Sequence, residues 1–268
     1  MEDSSGIMFN KDQDGIATIT LNRPEKLNAF THGMIGRWIE FITDAAADPS
    51  VRVVLLTGSG RSFCVGADVD EMSSRGKQDE LTRKNFLWHN VHKIALTIER
   101  MDKPVIAAVN GLARGAGSDM ALMCDIRIAA ESASFAWSYV NLNVIAGDGG
   151  TYYLPRIIGM ARALELFWTG RTVNAVEADR IGLVNRVVPD AELSTVSREL
   201  AGQIASQPKD AVQFYRRAAY QGETQTLFSH LDMISSHMAV LRGTPENQAR
   251  VEAFREQRRK AKAQKQAE

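Results

Sequence analysis

The sequence predicts an α/β fold, and three patterns carry that prediction. Short apolar runs alternate with amphipathic helical stretches, two of those runs end in glycine-rich turns, and the last third is helical in pattern almost throughout. Strands and helices alternating in this way imply parallel pairing through right-handed crossovers.

Gly6 to Asn10 and Ile16 to Leu21 read as a hairpin around a turn over Lys11 to Gly15, because strand-forming residues alternate on either side of it. Asn22-Arg23-Pro24 stops the second strand. An amphipathic helix is expected over Thr31 to Ala47, with Met34, Ile35, Trp38, Ile39 and Ile42 on one face. Arg52 to Thr57 is a compact apolar run that halts at Gly58-Ser59-Gly60, as a buried parallel strand does. The rhythm then repeats. A long helix over Leu81 to Arg100 precedes a second buried strand, Pro104 to Val109, which ends at Asn110-Gly111. Gly115-Ala116-Gly117 opens a helix through Cys124, and Asp125 to Ala130 is a further strand. After Val187-Val188-Pro189 the pattern is helical, closing on a Lys/Arg/Gln-rich stretch from Arg250 to Glu268. The chain therefore divides into a core over residues 1–200 and a helical region over 201–268. That region is too polar to bury much alone, so it is expected to pack on the core or on another subunit.

At 268 residues the chain can bury a sizeable core without disulfides or metals. Lys plus Arg and Asp plus Glu both total 32, a balance that favours neither a nucleic-acid nor a membrane partner. Cys64 and Cys124 have neither metal-ligand spacing nor a CxxC arrangement and read as reduced thiols. Met1 to Asn10 carries acids and serines where a signal peptide has a basic region and an apolar core, so the expected location is cytoplasmic. His89 and His92 share a helix face at i, i+3, but no third ligand accompanies them, and no metal is expected.

Two strand-to-turn junctions, Gly58 to Asp68 and Asn110 to Asp119, are the candidate ligand loops. Small residues there leave backbone N–H groups open, and the second junction coincides with a helix N-terminus, which favours negative charge. Two N–H groups converging on one point would form an oxyanion hole. Spacing alone does not distinguish that from a pair of tight turns.

The residues themselves go further. Asn22-Arg23-Pro24-Glu25-Lys26-Leu27-Asn28-Ala29, the junction Gly58 to Asp68, and Lys103 to Gly111 occur in order. Met123-Cys124-Asp125-Ile126-Arg127-Ile128-Ala129, Leu154-Pro155-Arg156, Thr169-Gly170 and Gly182-Leu183-Val184 follow. In these motifs, over nearly its whole length, the chain resembles the enoyl-CoA hydratase/isomerase (crotonase) superfamily. The resemblance implies a crotonase spiral of ββα units, of the ClpP/crotonase-like type, with a C-terminal helical trimerisation region that also covers the active site. It implies an acyl-CoA thioester substrate, with no cofactor beyond the coenzyme A that the substrate carries. It further implies a homotrimer or a dimer of trimers. The oxyanion amides fall at Ala67 and Ala116, the second usually glycine in the family. Coenzyme A is expected along Lys26, Leu27, Ala67, Asp68 and Val69. Asp70 stands where common members carry lysine.

The acid/base positions depart from the family's hydratase pattern. Of its two glutamates, the first matches Asp119 and the second matches Tyr139, a poor base at neutral pH. Asp148, among the glycines of Ile145 to Thr151, is a possible replacement, one position after the place where isomerases and dehalogenases of the family carry an acid. Asp119 and Asp148 have plain alternatives as a helix N-terminal acid and a turn aspartate. Trp88, Trp137, Tyr139, Tyr152 and Tyr153 are candidate acyl-pocket aromatics, core packing being the commoner fate. The expected activity is of hydratase/isomerase type, using Asp119, Asp148 and Tyr139. The alternatives are an acyl-CoA hydrolase or aryl-CoA dehalogenase, and a catalytically weak acyl-CoA-binding paralogue.

Overall fold

The computed structural model describes residues 6–74 and 78–267. Residues 1–5, on which part of the reading of the N-terminus rests, and Glu268, at the end of the charged stretch, lie outside the described residues. The chain forms two compact units, residues 1–206 and 207–268.

The first unit begins with the expected hairpin, β1 (Ile7–Lys11) and β2 (Ile16–Leu21). Then comes α1 (His32–Ala47), whose N-cap Thr31 accepts the Met34 N–H. Its buried stripe, Met34, Ile35, Trp38, Phe41, Ile42 and Ala45, has helical spacing and joins the core. The chain continues through β3 (Val53–Gly58), β4 (Ser62–Cys64), α2 (Val69–Ser74) and α3 (Glu80–Phe86). A π-helical turn, Leu87–Val91, connects α3 to α4 (His92–Arg100). Next are β5 (Val105–Val109), β6 (Leu112–Arg114), α5 (Ala116–Leu122), β7 (Ile126–Ala130) and β8 (Ser134–Ala136). The unit closes with α6 (Gly150–Ile158), α7 (Met160–Thr169), β9 (Thr172–Asn174), α8 (Ala175–Arg180), β10 (Arg186–Val188) and α9 (Leu193–Ala205).

Two sheets organise these elements. A six-stranded sheet runs β1-β2-β3-β5-β7-β10, parallel apart from the first hairpin. A four-stranded sheet runs β4-β6-β8-β9, with β4, β6 and β8 parallel. Three long strands of the first sheet are each followed by a short strand of the second: β3 by β4, β5 by β6, β7 by β8. This is the ββα repeat expected for a spiral. The apolar runs were legible as strands because burial on both faces makes β5 wholly apolar and wholly buried. The three-residue strands were not. They lie inside what reads as turn sequence, because three residues establish no period.

The loop between β2 and α1 is held by one side chain. Asn28 is fully buried, and its side-chain oxygen accepts the Arg23 N–H at 2.9 Å. Its amide nitrogen donates to the carbonyls of Ser59 at 2.9 Å and Ser62 at 2.7 Å. Leu27 and Asn28 both carry positive φ, 51° and 59°, a conformation that asparagine tolerates better than leucine does. The buried asparagine over-determines the strained pair, joining the β2–α1 loop to the β3–β4 turn.

The second unit consists of α10 (Lys209–Gly222), α11 (Leu227–Arg242) and α12 (Pro245–Ala267). None of the α11 side chains is fully buried, and Leu227, Phe228, Leu231, Met238 and Val240 are exposed. Among the described residues no helix is long and apolar enough to cross a membrane.

Asn28→Ala removes three hydrogen bonds around a positive-φ residue, so it is expected to destabilise the protein by about 2–4 kcal/mol. Urea unfolding checks this, and a shift below about 1 kcal/mol would contradict the bracing role.

Candidate active site

Ala67 follows β4, and its neighbours fix how it presents its backbone. Phe30 N–H donates to the Gly66 carbonyl at 2.9 Å, and Asp68 N–H donates to the Phe30 carbonyl at 3.0 Å. This is a parallel bridge between Phe30 and Ala67. Successive N–H groups of an extended chain point to opposite sides, so the Ala67 N–H faces away from Phe30. Ala116 is the first residue of α5, where an N–H has no intrahelical acceptor. The preceding Gly115 takes the irregular backbone, with φ 52° and ψ −122°. Ala116 itself does not have positive φ, so alanine is accommodated where the family usually has glycine. The two loops adjoin: a Cβ at Gly66 would lie 3.5 Å from the Ala116 nitrogen.

Behind Ala116 lies a buried carboxylate. Asp119, one turn into α5, has no exposed surface. Its Oδ1 accepts Trp137 Nε1–H and its Oδ2 accepts the Tyr139 hydroxyl, each at 2.8 Å. The Asp148 backbone N–H faces the same carboxylate. Gly150 is pressed against the same group, since a Cβ there would stand 2.1 Å from Oδ1. Burial raises the Asp119 pKa far above the ordinary carboxylate range, the Asp148 charge adds to the rise, and these three groups oppose it. Asp148 is 7% exposed, and its pKa is also raised by burial, an effect that the nearby Tyr139 phenol opposes. The phenol thus lies near both carboxyls and gives its hydrogen to Asp119. Its own pKa lies far above the ordinary value, through burial first and then the two acids, so it remains a neutral donor.

Amides open at two adjoining loops, backed by paired carboxylates, suit a reaction that puts charge on a carbonyl oxygen and moves a proton. Comparisons agree. The family model for enoyl-CoA hydratase/isomerase matches residues 11–265. The chain belongs to the enoyl-CoA hydratase/isomerase family. It is an enzyme of lyase or isomerase type, with an acyl-CoA thioester as substrate. It is 35% identical to 1,2-epoxyphenylacetyl-CoA isomerase of Escherichia coli over 90% of this chain and 92% of that protein. It is 36% identical to crotonyl-CoA hydratase of Syntrophomonas wolfei over 94% of this chain and 96% of that protein. The crystal structure of an enoyl-CoA hydratase from Bacillus anthracis superposes with a TM-score of 0.88 at 35% identity, covering 94% of this chain and 96% of that one. The crotonase fold is thereby shown.

Other members of the predicted set have clear places. Lys26 Nζ pairs with Asp70 at 2.9 Å, so this enzyme sets an acid against the lysine expected near coenzyme A. The Asp68 carboxylate accepts Arg23 at 2.9 Å and the N–H groups of Asp70 and Glu71, which leaves its backbone rather than its side chain to meet a ligand. Leu27 is half-buried, and Val69 is 71% exposed. Of the candidate pocket aromatics, Trp137 is fully buried against Asp119, while Trp88 and Tyr152 are exposed. Cys64 and Cys124 are buried free thiols.

The sequence reading missed three contributors. Phe30 orients Ala67 through backbone alone and so leaves no side-chain signal. Trp137 was noted only as an aromatic, although a buried indole N–H needs an acceptor and Asp119 provides it. His92, whose ring Nε2 lies 2.7 Å from the Gly147 carbonyl, stands 55 residues away from that carbonyl in sequence.

The two raised carboxyl pKa values give a pH signature. The native state binds protons that the unfolded chain releases, so the stability from these groups is present below the ordinary carboxylate pKa and lost as pH rises through the raised values. Asp148→Asn removes one of the pair and relieves the other. Its melting temperature is expected to exceed the wild-type value at about pH 8, with the gain vanishing near about pH 5. An equal gain at both values would contradict the buried-charge account.

Proposed function

We propose that the enzyme shifts a proton along the acyl chain of a coenzyme A thioester, an isomerase-type reaction, with Ala67 and Ala116 amides holding the thioester oxygen. The observation that carries this reading is the phenol of Tyr139 hydrogen-bonded to the buried Asp119, with the Asp148 carboxyl buried close by. A two-glutamate hydratase places its second acid where this enzyme has that phenol, so one mobile carboxyl remains to face the substrate. Asp119, with both oxygens engaged and no exposure, anchors the set. Asp148 carries the proton.

In this mechanism the Asp148 carboxylate takes a proton from carbon. The C–H bond breaks, an O–H bond forms, and the electron pair moves into the enolate, whose oxygen accepts the two N–H groups. Asp148, now a carboxylic acid, returns the proton to another carbon of the chain, and the enolate collapses. Burial supports the role, because it lifts the proton affinity of Asp148 toward neutrality, where one group can both take and return a proton. The two amides act only as charge develops, and losing one such donor in comparable sites costs about 3–4 kcal/mol. The reaction is redox-neutral and needs no cofactor beyond the coenzyme A of the substrate. That coenzyme A is proposed to lie along Lys26, Leu27, Ala67, Asp68 and Val69, with Lys26 drawn toward its phosphates in competition with Asp70. The helical region is proposed to form a homotrimer or a dimer of trimers, supported by the apolar side chains that α11 leaves exposed.

A panel of 2-enoyl and 3-enoyl coenzyme A thioesters tests the reaction by absorbance of the conjugated thioester. A rise with 3-enoyl substrates and no release of free thiol is expected. Asp148→Asn should lower kcat by about 10²–10⁴ with KM little changed. Tyr139→Phe should lower it by roughly ten- to a hundredfold. Hydration of crotonyl-CoA without isomerisation would replace this reading with a hydratase, free thiol would point to a hydrolase, and binding without turnover to a non-catalytic relative. Light scattering is expected to give at least three times the 29.6 kDa chain mass; a monomer would overturn the assembly.

A further inference from the structure

We propose that His92 is a positioning residue for Asp148, acting through the peptide group that joins Gly147 to Asp148. The inference rests on the proton-carrying role proposed for Asp148, and its geometric part is independent of that role.

That single peptide group is held at its carbonyl end and faces the buried acid at the other. Its carbonyl oxygen, on Gly147, lies 2.7 Å from His92 Nε2. Its N–H, on Asp148, faces the Asp119 carboxylate. A carbonyl only accepts, so the hydrogen of the first contact is on His92 Nε2, which fixes that nitrogen as protonated. The result is a continuous run from imidazole N–H through the peptide group to the buried carboxylate. A planar peptide group held at its carbonyl oxygen loses freedom to rotate, and the Asp148 Cα is attached to it. The direction in which the Asp148 side chain leaves the loop therefore depends on His92.

The surroundings fit such a task. The loop has no side chain of its own to hold Gly147, and a Cβ at that position would find only the Ile145 carbonyl, 4.0 Å away. On the helical side, His92 is the first residue of α4, directly after the π-helical turn Leu87–Val91. Such a turn shifts side-chain register within a helix and is frequent at functional sites. Here it precedes the one side chain of this stretch that is hydrogen-bonded to the acid loop. Val91, Ile94 and Ile98 stay buried on either side, so the helix keeps its core face while His92 is directed to Gly147. The Trp88 ring stands edge-on to the imidazole, with centroids 6.0 Å apart.

The test compares wild type with His92→Gln, whose carboxamide N–H can still donate to the carbonyl, and His92→Leu, which has no donor. Turnover is measured on an acyl-CoA that the wild type converts, and amide hydrogen exchange is followed over residues 144–150. His92→Leu is expected to lose about 10- to 100-fold in kcat with KM within about twofold, as for a misplaced reacting group. Loop exchange should accelerate while the rest of the protein keeps its protection. His92→Gln should recover most of the turnover and the protection. A residue that merely packs the helix would give equal losses in both variants, and that result overturns the proposal. So does a His92→Leu enzyme with unchanged kcat, or one whose defect lies in KM. If the wild type converts no acyl-CoA, the proposed reaction fails. Loop exchange then decides the anchor by itself, and unchanged exchange in His92→Leu overturns it.

Discussion

A carboxylate with no solvent contact is costly unless donors converge on it, and much of this active site is the set of groups that converge on Asp119. Trp137 arrives from the end of β8, Tyr139 from the 3₁₀ turn Ser138–Leu142, and the Asp148 N–H from the loop before α6. Gly150 lets that loop come within van der Waals contact of the carboxylate. One buried acid thus fixes the relative positions of α5, the 138–142 turn and the acid loop. These are the three segments that must agree if a proton is to be moved beside the Ala116 amide. Because Asp119 pulls three separate segments together, its removal would disturb more than one hydrogen bond.

The amide side of the site depends on backbone alone. Phe30 bonds to both neighbours of Ala67, and the start of α5 frees the Ala116 N–H by geometry. Neither arrangement requires a particular side chain at 67 or 116, which explains why alanine is compatible with a position where glycine is usual. The loop containing Phe30 is in turn fixed by Asn28 against the β3–β4 turn. The oxyanion site proposed for these amides would be preorganised, because its donors are already directed before a ligand arrives.

These two halves were unequally legible in the sequence. The long strands announce themselves because burial on both faces demands continuous apolar runs, and α1 because its stripe has helical spacing. The amide loops were found through glycine-rich turns and motif resemblance together. Strands β4, β6 and β8 were invisible, being too short for a period. The pairing of Asp119 with Tyr139 crosses 20 residues and that of His92 with Gly147 crosses 55, so neither has a local pattern. Resemblance located Asp119 and Tyr139 as positions, but the phenol's place near two acids follows only from the packing of α5 against the loop before α6. The same limit explains the aromatics: Trp88, Trp137, Tyr139 and Tyr152 read alike in sequence. Packing then puts Trp137 and Tyr139 against carboxylates and leaves Trp88 and Tyr152 exposed.

The physical separation of the two halves also explains how one family scaffold can serve different reactions. In the proposed mechanism the amides of Ala67 and Ala116 respond to charge on a carbonyl oxygen whatever bond is being made or broken further along the chain. The outcome would then depend on which proton carriers reach the neighbouring carbons. Replacing an acid by tyrosine at 139 does not merely delete a function. A phenol that keeps its proton gives it to Asp119 and adds no charge of its own beside the two carboxyls. That contact lowers the cost of keeping Asp148 buried beside Asp119, and so makes an acid at 148 compatible with an acid at 119. A glutamate at 139 would instead place three acids around one buried volume, a charge density that neither Trp137 nor the Asp148 N–H has the donors to offset.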